Sequence, residues 1–403
     1  MKLLAFIILL FVTILNAKVQ MEYKSVAEGN NQFSINLYQT LAAAEKERDK
    51  NIFFSPFSLS EAFAMTITGA KGETAKEIQE TLHFPSNDKK LHSSFTTLNK
   101  ELLSRTQEGL HLNLANAIWL QEGMEFKEKT KQLIKEYYQS AFHLANFRDI
   151  HLIEHIRQEI NSWVSKKTEN KIQELIEKNI LDATTRMVLV NAIYFKGKWA
   201  HPFKKSATFD EKFYINDTKS VKVPIMHQRQ RFNYYENRSL QVLELPYVGK
   251  SLSMIIFLPR KGVPIDALDK ALSTKHVDGV LEQMTPTRVA VSLPRFQFKT
   301  KYYLKKFLKK MGMVVPFSNA ADFSGFTTKM GLKIAKVIHG ASITVDEEGS
   351  EAAAATAVIM KTKGIHKTPH YIEFKADHPF MFMIRDKKSG VILFMGRVIN
   401  PTS

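Results

Sequence analysis

The residues with the most chemical potential per unit length are His151-Leu152-Ile153-Glu154-His155. On a helix, the two imidazoles of this H-x-x-E-H spacing sit one turn apart and share a zinc ion, with the carboxylate beside it as a base. No third ligand in a recognisable setting follows, so a metal site is not assigned. Gly249-Lys250-Ser251 imitates the end of a phosphate-binding loop, but position 244 is Glu where that loop requires Gly. There is no G-x-S-x-G elbow and no G-x-G-x-x-G, which leaves no hydrolase nucleophile and no dinucleotide site. The 403 residues include no cysteine, which excludes disulfides, thiolate metal centres and a cysteine nucleophile. None of these motifs supports catalytic, metal or cofactor chemistry.

Charge offers a different chemistry. Lys and Arg outnumber Asp and Glu by 57 to 40, a formal charge of +17. Such a surface attracts polyanions, and outside the cell these are sulfated glycosaminoglycans such as heparin rather than nucleic acid. The spacing predicts a helix with an apolar stripe of Tyr303, Leu304, Phe307, Leu308 and Met311, and with Lys301, Lys305, Lys306, Lys309 and Lys310 crowding its other face. Like charges at i and i+4 repel, so the face is either solvated or a polyanion site. Asn216-Asp217-Thr218 and Asn237-Arg238-Ser239 are glycosylation sequons, open to modification at Asn216 and Asn237 in a secreted product.

The elements that must position any site follow from periodicity. Residues 1–17 read as a secretory signal peptide: Lys2, then the apolar run Leu3 to Leu15, then Ala17. The run is too short to span a bilayer. The remainder, 18–403, contains no linker, repeat or low-complexity tract and is expected to be one domain, soluble, monomeric and extracellular. Phe33, Leu37 and Leu41 mark a helix with Asn31 as its cap. A second helix runs from Ser58 through Ala62, Met65 and Ile67 to Gly69. Trp163 and Val164, then Ile172, Leu175 and Ile176, continue the helical pattern. Val188 to Phe195 reads as a strand buried on both faces. Leu243 to Pro246 and Leu252 to Leu258 form a hairpin around Tyr247 to Lys250, and Val289 to Leu293 and Val391 to Val398 add strands. The class is α+β, with helices packed on large mixed or antiparallel sheets.

One segment carries two periods at once. Asp346 to Ala357 has the composition of a loop followed by an alanine-rich helix. Read with period two, however, Ser350, Ala352, Ala354, Thr356, Val358 and Met360 are uncharged while Glu351 and Lys361 fall on the other face. The stretch is suited to enter a sheet as a buried strand. Here the chain resembles the serpin family: Glu347 to Ala357 is similar to the hinge of the serpin reactive loop. Asn51 to Ser58, Asn116 to Trp119, Asn191 to Trp199, Asp377 to Phe380 and Phe394 to Val398 also resemble serpin signatures, in the expected order.

The resemblance implies one domain of three β-sheets and eight or nine helices, with an exposed reactive loop at about 347–371. It implies a secreted suicide inhibitor: a protease cleaves the loop and is held as an acyl-enzyme while the hinge inserts as a new central strand. Insertion of this kind adds a strand to an existing sheet and releases strain stored in the native fold. By the family pattern, Glu347, Gly349, Ser350, Glu351, Ala352, Ala353, Ala354, Ala355 and Thr356 form the hinge. Ser55, Ser58, Asn191 and His339 match the polar cluster under the opening sheet, and Trp199 the position where insertion begins. Counting from Gly349 by the family's hinge length places the scissile bond at Lys363-Gly364, with Met360, Lys361 and Lys367 as competitors. A lysine there suits the acidic pocket of trypsin-like serine proteases, the expected covalent partner. Gly340 departs from the family, where many members carry Lys, and Gly364 to Tyr371 is long and basic. A carrier, storage protein or chaperone that has lost inhibition is the alternative on the same fold.

Overall fold

The computed structural model describes residues 23–86, 88–104, 109–138, 141–350 and 370–403. The chain enters as helix α1 (23–42), then β1 (Ile52–Phe54), α2 (Pro56–Ile67), α3 (Gly72–Leu82) and α4 (Asp88–Leu103). β2 (Leu110–Gln121), α5 (Glu128–Tyr138), β3 (Ala141–Ala145), α6 (Ile153–Lys167) and β4 (Met187–Lys198) follow. A β-rich stretch comes next: β5 (Thr208–Tyr214), β6 (Ser220–Glu236), β7 (Leu240–Pro246) and β8 (Leu252–Pro259). After α7 (Ile265–Ala271) and α8 (Thr274–Glu282) come β9 (Thr285–Pro294), β10 (Phe296–Tyr303), α9 (Lys305–Lys310), β11 (Lys336–Val345) and β12 (Gly349–Ser350). The chain ends in β13 (Ile372–Lys375), β14 (Phe380–Asp386) and β15 (Ile392–Val398). Nine α-helices thus lie among the described residues, consistent with the α+β class.

The strands form two hydrogen-bonded networks. The central sheet has the order β10-β11-β4-β2-β3, with β12 added at the end of β4. The other has the order β1-β15-β14-β8-β7-β6-β9-β13, with β5 on β6. Two of the three sheets expected from the sequence share β6, because its 17 residues pair with β9 along most of their length and with β7 only at Tyr234 to Glu236.

The central sheet is apolar on both faces, which explains the continuous hydrophobic run of β4. Met187, Leu189, Ile193 and Phe195 enter the main core, while Val188, Val190 and Ala192 face a second cluster with Ile156, Ile160 and Val164 of α6. Beneath the sheet lies α2, every residue of which is buried. Ser55 caps it by accepting the Ser58 N–H, and Pro56 occupies the first turn, where no intrahelical N–H is needed.

Local readings are corrected in two places. Asn31 is not a cap but lies inside α1, its amide bonded to Gly390 O (2.9 Å) and its oxygen accepting the Ile392 N–H (2.8 Å). The 172–176 stretch is irregular rather than helical. Asn161 of α6 takes over its backbone groups, accepting the N–H of Leu175 (3.0 Å) and Ile176 (2.8 Å) and donating to Ile176 O (2.9 Å). That lets Ile172, Leu175 and Ile176 spread over the sheet without a helix period. Gly340 is where Leu175 lands: a Cβ there would lie 2.6 Å from Leu175 Cδ1. The hairpin at Tyr247 to Lys250 forms as expected, with β7 and β8 paired from Leu240–Pro259 to Pro246–Ser253. Gly249 and Lys250 both take positive φ in its turn, so the tripeptide has no phosphate-loop geometry.

Candidate functional site

β4 and β11 run parallel and are hydrogen-bonded directly, in register from Val188–Lys336 to Tyr194–Ser342. At the middle of this seam His339 of β11 sits opposite Asn191 of β4, and Asn191 sits opposite Asn116 of β2. Three polar side chains therefore line up across three adjacent strands, above the start of α2.

Their hydrogen bonds fix every orientation. His339 Nε2 accepts the Ser55 N–H (3.0 Å), so the ring proton sits on Nδ1 and donates to Asn191 Oδ1. Asn191 Nδ2 donates to Ser58 Oγ (2.5 Å) and to Asn116 Oδ1, and Ser58 Oγ–H donates to Asn116 Oδ1 (2.9 Å). Ser55 Oγ–H donates to Leu393 O (2.7 Å). The imidazole is fully buried, and burial pushes its pKa down to about 3, so it is neutral at physiological pH. A neutral, fully bonded histidine does not perform acid–base chemistry here. It ties β4, β11 and α2 together, and its bond to Asn191 must break if those strands part.

A second constellation holds the hinge at the end of β4. Trp199 stacks on Tyr247 with ring centroids 4.7 Å apart, and its Nε1–H donates to Asp346 O (3.0 Å). The backbone N–H groups of Trp199 and Phe203 donate to Glu348 O and Glu347 O, both at 2.8 Å. The Glu347 carboxylate is buried and accepts from Arg295 Nε (2.8 Å) and Thr208 Oγ1 (2.5 Å). Burial opposes its charge, but the Arg295 and Thr208 bonds outweigh this and hold it below the usual carboxylate range.

β12 then pairs antiparallel with β4, Gly349 opposite Lys198 and Ser350 opposite Gly197. The approach admits no side chain, since a Cβ on Gly349 would lie 2.0 Å from Gly197 O. Ser350 is fully buried, its Oγ 2.8 Å from Tyr247 Oη, on the inward face that the alternation assigns to it.

The predicted site residues divide accordingly. Ser55, Ser58, Asn191 and His339 meet in one network, and Trp199, Glu347, Gly349 and Ser350 in another. Glu351 to Thr356, Met360, Lys361, Lys363, Gly364 and Lys367 lie outside the described residues, as do residues 1–17. Sequence reasoning missed Asn116, Tyr247, Arg295 and Thr208. Asn116 alone left a signal, an amide within the apolar run Ala115 to Leu120.

Two other readings change. Lys301 is not on the lysine helix: it belongs to β10 and pairs with Glu177 at 2.5 Å. Tyr303 is also in β10, because the helix has only six residues, Lys305–Lys310. Lys306, Lys309 and Lys310 are exposed on α9, while the Lys305 ammonium lies 5.7 Å from the Phe317 ring centroid. Burial, then the nearby charges of Lys309, Lys336 and Lys333, lower its pKa. His151 precedes α6 while His155 is on it, both are exposed, and Glu154 is committed to Arg157 at 2.8 Å. The pair therefore does not share a helical face, and no cluster of three metal-binding side chains occurs among the described residues. Asn216 and Asn237 are both exposed.

The site is thus a parallel seam tied by a polar cluster, with a two-residue strand paired at the end of β4. A model of serpins, serine protease inhibitors, matches residues 28–401. A leukocyte elastase inhibitor of Xenopus laevis is 39% identical over 385 residues, covering 94% of this chain and all of that one. Human thyroxine-binding globulin, solved with thyroxine, superposes with a TM-score of 0.86 at 32% identity, covering 95% of this chain and all of that one. Uncleaved ovalbumin superposes at 0.84 with 27% identity, covering 94% of this chain and all of that one. The chain belongs to the serpin family, and its relatives include both protease inhibitors and proteins of the same fold that do not inhibit.

Proposed function

We propose that this serpin is a secreted suicide inhibitor of trypsin-like serine proteases, acting by cleavage at Lys363-Gly364 and insertion of the hinge between β4 and β11. The observation that carries the reading is the hinge itself. Gly349 and Ser350 already pair with β4, and the inward residue is a small serine on Tyr247 rather than a charge or a bulky group. Ala352, Ala354 and Thr356 continue the same small, uncharged alternation, so each successive pair enters the sheet without burying a charge. Lys363 supplies the cation for a trypsin-like specificity pocket. The apolar run behind Lys2 supports secretion, and the exposed Asn216 and Asn237 support glycosylation on that route. Lys305, Lys306, Lys309 and Lys310 form the basic surface that heparin would meet, without Lys301.

Incubation with trypsin and separation on a denaturing gel tests the inhibitory mechanism. A covalent complex, with the released peptide starting at Gly364, is the expected result. A chain cleaved there without forming a complex is a substrate or carrier, the behaviour of the alternative. Trapping of elastase- or chymotrypsin-like enzymes with cleavage near Met360 refutes the Lys363 assignment.

A further inference from the structure

The polar network under the seam does not stop at Asn116. Its Nδ2 donates to Glu61 Oε2 at 2.5 Å, and Asn99 Nδ2 donates to Glu61 Oε1 at 2.5 Å. Glu61 lies on α2, one turn beyond Ser58, and is 3% exposed. It is a carboxyl group inside a helix otherwise committed to the core.

Glu61 forms no ion pair among the described residues, although it lines a cavity of about 590 Å³ between α4, β2, α5 and α6. The charged and titratable groups facing that space are Lys100 of α4, Glu136, Tyr137 and Tyr138 of α5, and Lys167 of α6, with His92 behind Tyr138 at 2.5 Å. His339, at the far end of the network, stays neutral throughout the physiological range. Burial raises the Glu61 carboxyl to about 7 against the two amide bonds that favour its charge.

The topology couples this group to sheet opening. Admitting a strand between β4 and β11 widens the seam by roughly 4.8 Å, moving β4, β2 and β3 away from β11 and β10. Asn116 travels with β2, whereas Glu61 and Ser58 belong to α2. α2 is also anchored to β15 of the other sheet through Ser55 Oγ and Leu393 O, so where β2 slides over it the Asn116–Glu61 bond parts, and the adjoining cavity gives water access to both groups.

We propose that Glu61 is a positioning residue of the shutter and makes its opening proton-dependent: neutral Glu61 keeps the seam closed, and ionised Glu61, an uncompensated buried charge, favours the opened, hydrated state. The proposal rests on the loop-insertion reading. Both protonation states have partners in place. As a carboxylate, Glu61 accepts from Asn99 and Asn116. As an acid it needs one acceptor, and Asn99 Oδ1, buried without a hydrogen-bond partner, becomes that acceptor when the Asn99 carboxamide turns over. Asn116 keeps its orientation toward Ser58 and Asn191 in either state. The sign follows from linkage: a carboxyl that holds its proton more tightly in the closed than in the hydrated state closes the seam when protonated.

The test follows uptake of a synthetic peptide with the sequence of residues 350–363 into the intact protein, by native gel, from pH 5.5 to 8.5. The wild-type rate is expected to rise about tenfold between pH 6 and pH 8, as one group with a raised pKa ionises. Glu61→Gln, whose amide can donate to Asn99 Oδ1, is expected to show a flat profile at the slow, low-pH rate. A wild-type profile that is flat, or a Glu61→Gln profile that rises like the wild type, overturns the proposal. Carbon-13 glutamate NMR reads the group directly, and a Glu61 resonance titrating at the ordinary carboxylate pKa also overturns it. Trypsin trapping at fixed pH separates the two readings. A protein that traps trypsin with a pH-independent shutter loses only the role of Glu61, whereas one that neither traps trypsin nor takes up peptide at any pH loses both.

Discussion

Ser350→Arg places a guanidinium where the structure has a hydroxyl. Ser350 is fully buried, its Oγ 2.8 Å from a Tyr247 Oη that is itself buried under Trp199, and no carboxylate is among its hydrogen-bond partners. Losing that hydrogen bond costs about 1 kcal/mol. Burying an unpaired guanidinium costs several kcal/mol more, so the side chain is expelled and β12 leaves β4. An added barrier of about 3 kcal/mol at the first step of insertion slows it roughly 10²-fold. Acylation at the proposed Lys363 bond does not require residue 350 to enter the sheet and is expected to continue at the wild-type rate, so water completes hydrolysis before the strand enters. The assay is a titration of trypsin with the variant, reading the covalent band, the cleaved band and residual protease activity together. The expected result is cleavage at the same bond, little covalent complex and recovery of active trypsin. Glu351→Arg, one residue along on the outward face of the alternation, should remain largely inhibitory. Wild-type stoichiometry for Ser350→Arg would refute insertion of residue 350 as the step that commits the trap.

Arg295→Ala strips the buried Glu347 carboxylate of its ion partner, and a loss of about 2 kcal/mol in native stability is expected by urea titration. Because the folded pKa of Glu347 is depressed, its contribution is present above the ordinary carboxylate pKa and disappears as pH falls through the lower folded value. The variant should therefore differ from wild type at pH 7 and converge on it in strong acid. His339 has the opposite chemistry and the same acid side. Its folded pKa of about 3 lies below the unfolded value, so the unfolded chain binds a proton that the native state refuses, and stability falls as pH drops from about 6.5 toward 3. His339→Gln should flatten that slope in urea midpoints, and an unchanged slope would show that another group produces it. Replacing Lys306, Lys309 and Lys310 together by Ala should lower the salt needed to elute the protein from heparin by more than it lowers elution from a plain sulfonate exchanger. Equal shifts on both columns would reduce the patch to general charge.

The parts of the molecule legible in the sequence were those governed by a local period or by small residues. β4 announced itself as an unbroken apolar run because both of its faces are covered, and α2 by the spacing of Ala62, Met65 and Ile67 from Ser58 onward, although the helix starts two residues earlier at Pro56. Ser350 was placed on the inward face by alternation alone, and the fold puts it there. Asn31 and the 172–176 stretch were misread for a common reason. Their backbone or side-chain partners lie far away in sequence: Asn31 bonds residues 390 and 392, and Asn161 supplies the bonds that a helix would have made for Leu175 and Ile176. Lys301 shows the same limit, since a four-residue spacing reads as helix until β10 pairs it opposite Gly340 in β11.

The sequence by itself determined the α+β class, the serpin signatures, the uncharged inward-facing positions of the hinge and the positive charge, because composition and alternation are properties of the chain. Only the tertiary structure decided that His339 is neutral and bonded to Ser55 and Asn191, that Arg295 and Tyr247 hold the hinge, and that Glu61 forms no ion pair among the described residues. These are statements about which groups exclude water and which partners remain within hydrogen-bond reach. Residues 58, 61, 116, 191 and 339 become neighbours only when three strands and one helix are stacked. Burial then fixes their protonation, a property of the assembled site that no residue carries on its own.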